Sequence, residues 1–290
     1  MESAEVLRTV ATVFMLAGVG WGLAHWRRLS IDTLTEVVMY VGAPCLVFSS
    51  LSRGTVHAAE TGMLVAACLF LVGGTALVAR LLFAASGSRP GPYLLPAMFM
   101  NAGNMLLPLC LFAFGDEGLV RGVIVFATMS VLMSSLGVYV AGGKRPGEVF
   151  RLPYIYAAVA GLAAGWTGVE LPEPVQRSVA LLGDLAIPLM LLALGARLQQ
   201  QPLPSLKGPL LATVSRMGGG YLVALLFVWV TGVDGVTRSV VMLLSVMPSA
   251  VINFVFAQKY GDGASEVAAT VFVSTLVSLV AIPLVLAFGL

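Results

Sequence analysis

Asn101, Asn104 and Pro108 fall within eight residues of one another, in Asn101-Ala-Gly-Asn104-Met-Leu-Leu-Pro108, inside a segment apolar enough to lie in a membrane. A second set repeats the theme in Met247-Pro248-Ser249-Ala-Val-Ile-Asn253. These residue types suit binding rather than bond-breaking. A proline cannot donate the hydrogen bond to the carbonyl four residues back, so Pro108 frees Asn104, and Gly103 lowers the penalty for unwinding. Backbone groups freed at membrane depth are tolerated only where protein or a water-filled cavity satisfies them. A helix broken there presents N-terminal ends with partial positive charge and open N–H donors, which suit a carboxylate without an arginine. Asn104 and Asn253 offer both a donor and an acceptor, so either a carboxylate or a cation is within their chemistry. Asn101 and Ser249 are the second choices. A lone proline in a membrane helix usually marks no more than a kink. Two matched breaks, each with asparagine, point instead to a transport site.

The elements that must position these residues are membrane spans. Hydrophobic residues make up 59% of the 290-residue chain and charged residues 10%, against about 25% charged in soluble domains. Apolar runs of spanning length recur throughout. They predict ten helices at roughly 5–26, 33–51, 60–84, 92–114, 118–141, 152–168, 175–197, 206–230, 236–257 and 265–288. None alternates as a membrane barrel strand would. The expected class is an all-α polytopic membrane protein, with the site where spans four and nine are broken.

The chain is also written twice. Val72-Gly73-Gly74-Thr75-Ala76-Leu77-Val78-Ala79 returns as Met217-Gly218-Gly219-Gly220-Tyr221-Leu222-Val223-Ala224, and Val125-Phe126-Ala127-Thr128 as Val271-Phe272-Val273-Ser274. Phe112–Asp116 is echoed by Gln258–Asp262, and Ala17-Gly18 with Trp21 by Ala160-Gly161 with Trp166. The order is kept at offsets of 143–146 residues. Residues 1–141 and 152–290 are therefore expected to be two five-helix repeats, joined by a polar linker at 142–151. Lys and Arg set the orientation. One side carries Arg27, Arg28, Arg80, Arg89, Lys144, Arg145, Arg151, Arg197, Lys207 and Lys259, and the other only Arg8, Arg53, Arg121, Arg177 and Arg238. This places both termini outside and the linker in the cytoplasm. Five spans per repeat then invert the second repeat relative to the first.

Two charges fall inside spans: Asp184, four residues before Pro188, and Arg216. An intramembrane ionisable group is a functional candidate by default. Asp184 is the candidate proton carrier; a structural Asp184–Arg216 pair is the alternative. Sodium, held by oxygen ligands near Asn104 and Asn253, is the other candidate coupling ion, and the residues do not choose between them. Ser49, Ser50, Ser52, Thr128 and Ser130 are candidate path residues, though Ser and Thr in membrane helices more often bond their own backbone. The glycine clusters read as close helix packing. Cys45, Cys68 and Cys110 sit in apolar runs without metal spacing, and no nucleophile–base or His/Asp/Glu constellation suggests an enzyme. The N-terminus, with Glu2 and Glu5, reads as a first span rather than a cleaved signal. A net charge of +2 spread over loops suggests no nucleic-acid partner.

Asn101-Ala-Gly-Asn104-Met-Leu-Leu-Pro108-Leu, Ala186-Ile-Pro188-Leu-Met-Leu-Leu-Ala-Leu-Gly195, Met247-Pro248-Ser-Ala-Val-Ile-Asn253-Phe-Val-Phe-Ala257 and Pro44-Cys-Leu-Val-Phe-Ser-Ser-Leu51 resemble bacterial members of the auxin efflux carrier family. The likeness covers essentially the whole chain. It implies a bile-acid-symporter-like (NhaA-type) fold: ten helices, two inverted repeats, and crossed broken helices four and nine. It further implies a scaffold of spans 1, 2, 6 and 7, a mobile transport domain of spans 3–5 and 8–10, elevator motion, and a homodimer through the scaffold. Asn104 and Pro108 match the crossover pair of the plant PIN-type carriers. The ninth-span crossover proline is replaced by Asn253, Pro248 matches an earlier proline, and the long cytoplasmic loop of many plant members is missing. The expected function is alternating-access transport of a small organic anion, such as malonate or an auxin-like acid, across a bacterial inner membrane. A proton or sodium gradient would drive it. A channel or a ligand sensor built on the same crossover is the alternative.

Overall fold

A computed structural model describes residues 3–27, 30–53, 56–143, 152–169, 171–198, 206–261 and 263–289. Regular structure among them is helical, apart from one isolated antiparallel bridge between Met100 and Ser249. The long helices are α1 (Ser3–Trp26), α2 (Ile31–Arg53), α3 (Ala58–Ala85), α5 (Ala102–Val140), α7 (Glu173–Arg197), α8 (Lys207–Thr231) and α11 (Ala264–Phe288). Shorter ones are α4 (Leu94–Met98), α6 (Pro153–Thr167), α9 (Gly235–Ser245) and α10 (Ile252–Tyr260). Seven described helices are long and apolar enough to cross a membrane. Their outward faces carry Leu81, Leu222, Val230, Val280 and Leu284, a surface that lipid rather than water would solvate.

Two interruptions depart from simple spans. The 39 residues of α5 would run about 58 Å if straight, roughly twice the hydrocarbon core. They are not straight. Gly115 has φ 64° and ψ −156°, a conformation open to glycine because it lacks Cβ. It splits α5 into arms at 102–114 and 116–140, close to the boundary expected between spans four and five. In α7 the regular helix stops at Asp184 and resumes at Ala186. Pro188 cannot donate to the Asp184 carbonyl, which loosens that turn. The expected linker lies outside the described residues from 144 onward, with Lys144, Arg145 and Arg151; so do Arg28 and Asp262.

The closest helix contacts fall into two sets. In the first, α1 and α7 meet backbone to backbone: a Cβ on Gly20 would overlap Leu192 O, and one on Gly195 would overlap Ala17 O. Gly161 of α6 lies against Phe48 and Leu51 of α2, and Gly183 of α7 against Leu46. In the second set α3 and α8 interlock, Gly74 against Val223 and Gly219 against Val78. These last contacts join the two copies of the repeated glycine cluster, which therefore packs helices as expected. A polar knot ties α3, α5 and α9: Arg121 Nε lies 2.6 Å from Glu60 Oε1 and 2.9 Å from Thr237 Oγ1, and Thr237 also hydrogen-bonds Glu60.

Gly195→Ala is expected to destabilise the protein by roughly 1–3 kcal/mol, since the backbones must part to admit a methyl. Gly73→Ala, with open space at its Cβ, is expected to be neutral. Thermal unfolding of the two variants in detergent, beside wild type, measures the contrast.

Candidate functional site

The site begins where two helices stop in mid-segment. α4 ends at Met98 and α5 starts at Ala102; α9 ends at Ser245 and α10 starts at Ile252. The two extended pieces pair with each other. Asn101 N–H donates to Pro248 O at 2.8 Å, and Ala250 N–H donates to Phe99 O at 2.9 Å. Asn253 Nδ2 donates to Phe99 O at 3.0 Å and to Ser249 Oγ at 2.9 Å, while Ser249 N–H donates to Ser274 Oγ of α11 at 3.1 Å. Asn101 caps the start of α5, its Oδ1 accepting from Asn104 N–H at 3.1 Å.

Pro108 does not make the first break. The chain leaves the helix upstream, at 99–101, where the segment between α9 and α10 supplies partners. Ala102–Leu106 then forms a widened turn in which Leu106 N–H donates to Asn101 O at 3.2 Å, and Pro108 follows in regular helix. Pro248, by contrast, lies in the second break, as expected.

A cavity of about 190 Å³ opens beside the crossing, small beside the 300–1,000 Å³ of drug-sized sites. Asn101, Gly103 and Asn104 line it at the start of α5, and Ala250, Val251 and Ile252 line it at the start of α10. Two helix N-termini therefore bring their partial positive charge to one place. Opposite them stand Thr35 and Met39 of α2, Tyr154 of α6, and Met190 and Arg197 of α7. Phe126, Met129 and Ser130 of α5 complete a largely apolar wall. Phe126 and Tyr154 pack with ring centroids 5.1 Å apart. No group of three metal-ligating side chains occurs among the described residues. This arrangement can bind a small anion by oriented N–H groups and amides.

The structure divides the residues singled out from sequence. Asn104 is half-buried and lines the cavity with Asn101, which is mostly enclosed. Asn253 and Ser249 are fully buried, do not line the cavity, and brace the crossing from behind. Pro108 and Pro248 are buried and also stand off the cavity. Asp184 is exposed on α7, away from the cavity lining. Arg216 is fully buried in α8, and its NH2 donates to Ser245 O at 2.8 Å. The Asp184–Arg216 pair is not formed: the ion pairs among the described residues are Arg121–Glu60, Arg121–Glu117 and Arg177–Glu173. Ser130 lines the cavity, whereas Thr128 bonds its own backbone at Ile124 O, and Ser49 and Ser52 face a separate recess with Arg53 and Gln176.

Sequence reasoning missed Arg197, Thr35 and Tyr154 as cavity residues. Arg197 had entered only as a loop charge. Its place in the last turn of an apolar helix, where a long side chain can turn back toward the protein, was the available signal.

Helices interrupted and paired in this way, over a cavity in a multi-pass membrane protein, are the kind of break at which transporters place their binding sites. A family model described as "Membrane transport protein" matches residues 144–286. An "Uncharacterized transporter" of Methanothermobacter thermautotrophicus is 28% identical, over 98% of this chain and 97% of its own. A protein of Rhizobium meliloti named "Putative malonate transporter" is 25% identical, over 95% and 93%. Another "Uncharacterized transporter", of Methanocaldococcus jannaschii, is 24% identical over 87% of each chain. The chain is thus similar, over most of its length, to proteins described as membrane transporters.

Asn253→Ala leaves Phe99 O and Ser249 Oγ short of a donor in the buried crossing, and is expected to cost about 1–3 kcal/mol. Asn104→Ala, facing the cavity, is expected to leave the unfolding midpoint within a degree or so of wild type, a contrast read directly by thermal unfolding in detergent.

Proposed function

We propose that the protein is a secondary carrier that moves a small organic anion by alternating access, with the substrate bound in the crossover cavity. One observation carries this reading: two broken helices meet so that both N-termini, with Asn101 and Asn104, face a small, partly open cavity. Partial positive charge without a metal suits a carboxylate. The name of the Rhizobium relative makes malonate the first candidate, and an auxin-like acid is the second.

The finer architecture belongs to the same proposal. α4 with the first arm of α5 forms the fourth span, and α9 with α10 the ninth, giving ten spans in two inverted five-helix repeats with both termini outside. Spans 1, 2, 6 and 7 form the scaffold, a division supported by the glycine contacts among α1, α2, α6 and α7. Spans 3–5 and 8–10 form the transport domain, tied by the α3–α8 interlock and the Glu60–Arg121–Thr237 knot. The cavity lies between the groups, and several of its wall residues are methionines (Met39, Met129, Met133, Met190). Their flexible thioethers can repack as one surface slides on the other. We assign an elevator motion and a scaffold-mediated homodimer in a bacterial inner membrane.

A proton or sodium gradient drives the cycle. Since Asp184 stands apart from the cavity, a proton taken up there acts through α7 rather than by touching substrate. A sodium ion would use the oxygens around Asn104 and Asn253.

Uptake of labelled malonate, succinate and indole-3-acetate into proteoliposomes tests the proposal. Wild type is expected to show saturable uptake of at least one acid under a proton or a sodium gradient, and Asn104→Ala to lose at least about tenfold, as removal of a hydrogen bond to a charged group predicts. Asp184→Asn is expected to abolish proton-driven uptake while sparing counterflow. Unsaturable flux would make the protein a channel; saturable binding without flux would make it a sensor. Equality with empty liposomes would exclude carriage of these acids.

A further inference from the structure

We propose that Arg197 is the anion-selecting residue of this cavity, taking a substrate carboxylate on its guanidinium; this rests on the carrier reading above. Arg197 sits in the last turn of α7, half-buried, and its NH2 donates to Thr35 Oγ1 of α2 at 3.0 Å. Thr35 is itself fixed, donating to Ile31 O at 2.8 Å. Both side chains line the cavity together with Asn101 and Asn104. Among the lining residues, Arg197 is the one with a formal charge; the rest are apolar, amide, hydroxyl or glycine.

That combination has a definite electrostatic consequence. Apolar walls focus the field of a charge they enclose. A guanidinium offers a planar fork that matches a carboxylate in two parallel hydrogen bonds, which an ammonium cannot do. The helix N-termini at the crossing contribute the same sign from another wall. A cationic substrate would meet positive potential on both sides, and a neutral one would gain nothing from it. The site therefore takes acids, with Arg197 discriminating between a carboxylate and its uncharged amide.

One acidic group opposes this. Asp32, exposed in the first turn of α2, interacts electrostatically with Arg197. It competes with an incoming carboxylate, so the two residues act on binding in opposite directions. If Arg197 served only to join α7 to α2, removing Asp32 would harm function as removing Arg197 does.

The test is uptake of labelled malonate, succinate and indole-3-acetate by wild type, Arg197→Gln, Arg197→Lys, Asp32→Asn, Thr35→Val and Asn104→Ala, with malonamide as neutral competitor. Arg197→Gln is expected to raise KM roughly ten- to a hundredfold, the range for losing a hydrogen bond to a charged group, and to erase the preference for acid over amide. Arg197→Lys should fall between, and Asp32→Asn should lower KM by up to about threefold, as befits an exposed charge. Thermal unfolding identifies variants that fail to fold. An unchanged KM in Arg197→Gln, with Asn104→Ala still impaired, overturns the role of Arg197 alone. Parallel losses in Arg197→Gln, Asp32→Asn and Thr35→Val overturn it in favour of a structural link. Absence of uptake by wild type overturns the carrier reading and this inference with it.

Discussion

Every backbone polar group at membrane depth needs a partner, and a helix that stops there surrenders several at once. This chain answers the problem by stopping two helices at the same place. Phe99–Asn101 and Pro248–Ala250 exchange two backbone hydrogen bonds, Asn101 N–H to Pro248 O and Ala250 N–H to Phe99 O. Neither break would be tolerable alone. The exchange also fixes where the helix N-termini lie, hence where the cavity opens and what sign of charge it offers. Asn253 and Ser249 reinforce it from the buried side, leaving Asn101 and Asn104 toward the open one.

The rest of the molecule frames that crossing with close helix contacts. Backbone-close contacts at Gly20, Gly161, Gly183 and Gly195 lock α1, α2, α6 and α7, while Gly74 and Gly219 lock α3 to α8. Close approach of this kind maximises dispersion contacts where lipid removes the hydrophobic incentive for helices to associate. The cavity wall is built differently. It joins residues of α2, α6 and α7 to residues of α5 and α10 through longer, softer side chains. Packing is thus tight at these glycine contacts and softer around the cavity, which is what the elevator motion proposed above would require.

The ends of several long helices were legible because their signals are strong: apolar runs placed them within about two residues, as Ile31–Arg53 against 33–51 and Ala264–Phe288 against 265–288 show. The breaks were legible as a region and not in detail. Proline chemistry pointed to Pro108, but the opening at 99–101 depends on partners some 150 residues away in sequence, which no local rule supplies. Asn104 and Asn253 were ranked together because both carry an amide. Which one faces the cavity is decided by the side of the crossing each occupies. The Asp184–Arg216 pair failed for a related reason: two charges inside spans invite pairing, yet Asp184 lies on an outward face and Arg216 on an inward one.

Arg216 has a different partner, and it completes the electrostatics of the crossing. Breaking two helices creates two positive ends and two negative ones. At the negative end of α4, Phe99 O accepts from both Ala250 N–H and Asn253 Nδ2. At the negative end of α9, Ser245 O accepts from the Arg216 guanidinium. Donors thus cover both negative ends, while the N-terminal ends of α5 and α10 remain along the cavity wall. A buried arginine without a carboxylate is costly at membrane depth, but here it offsets a helix terminus that would otherwise present uncompensated carbonyls. The crossing is left with a one-sided field, positive toward the cavity, made by backbone geometry and by a cation, Arg216, that stands off the cavity lining. In such a field backbone dipoles supply much of the positive potential, and Arg197 is the one formal charge along a binding surface that is otherwise nearly apolar.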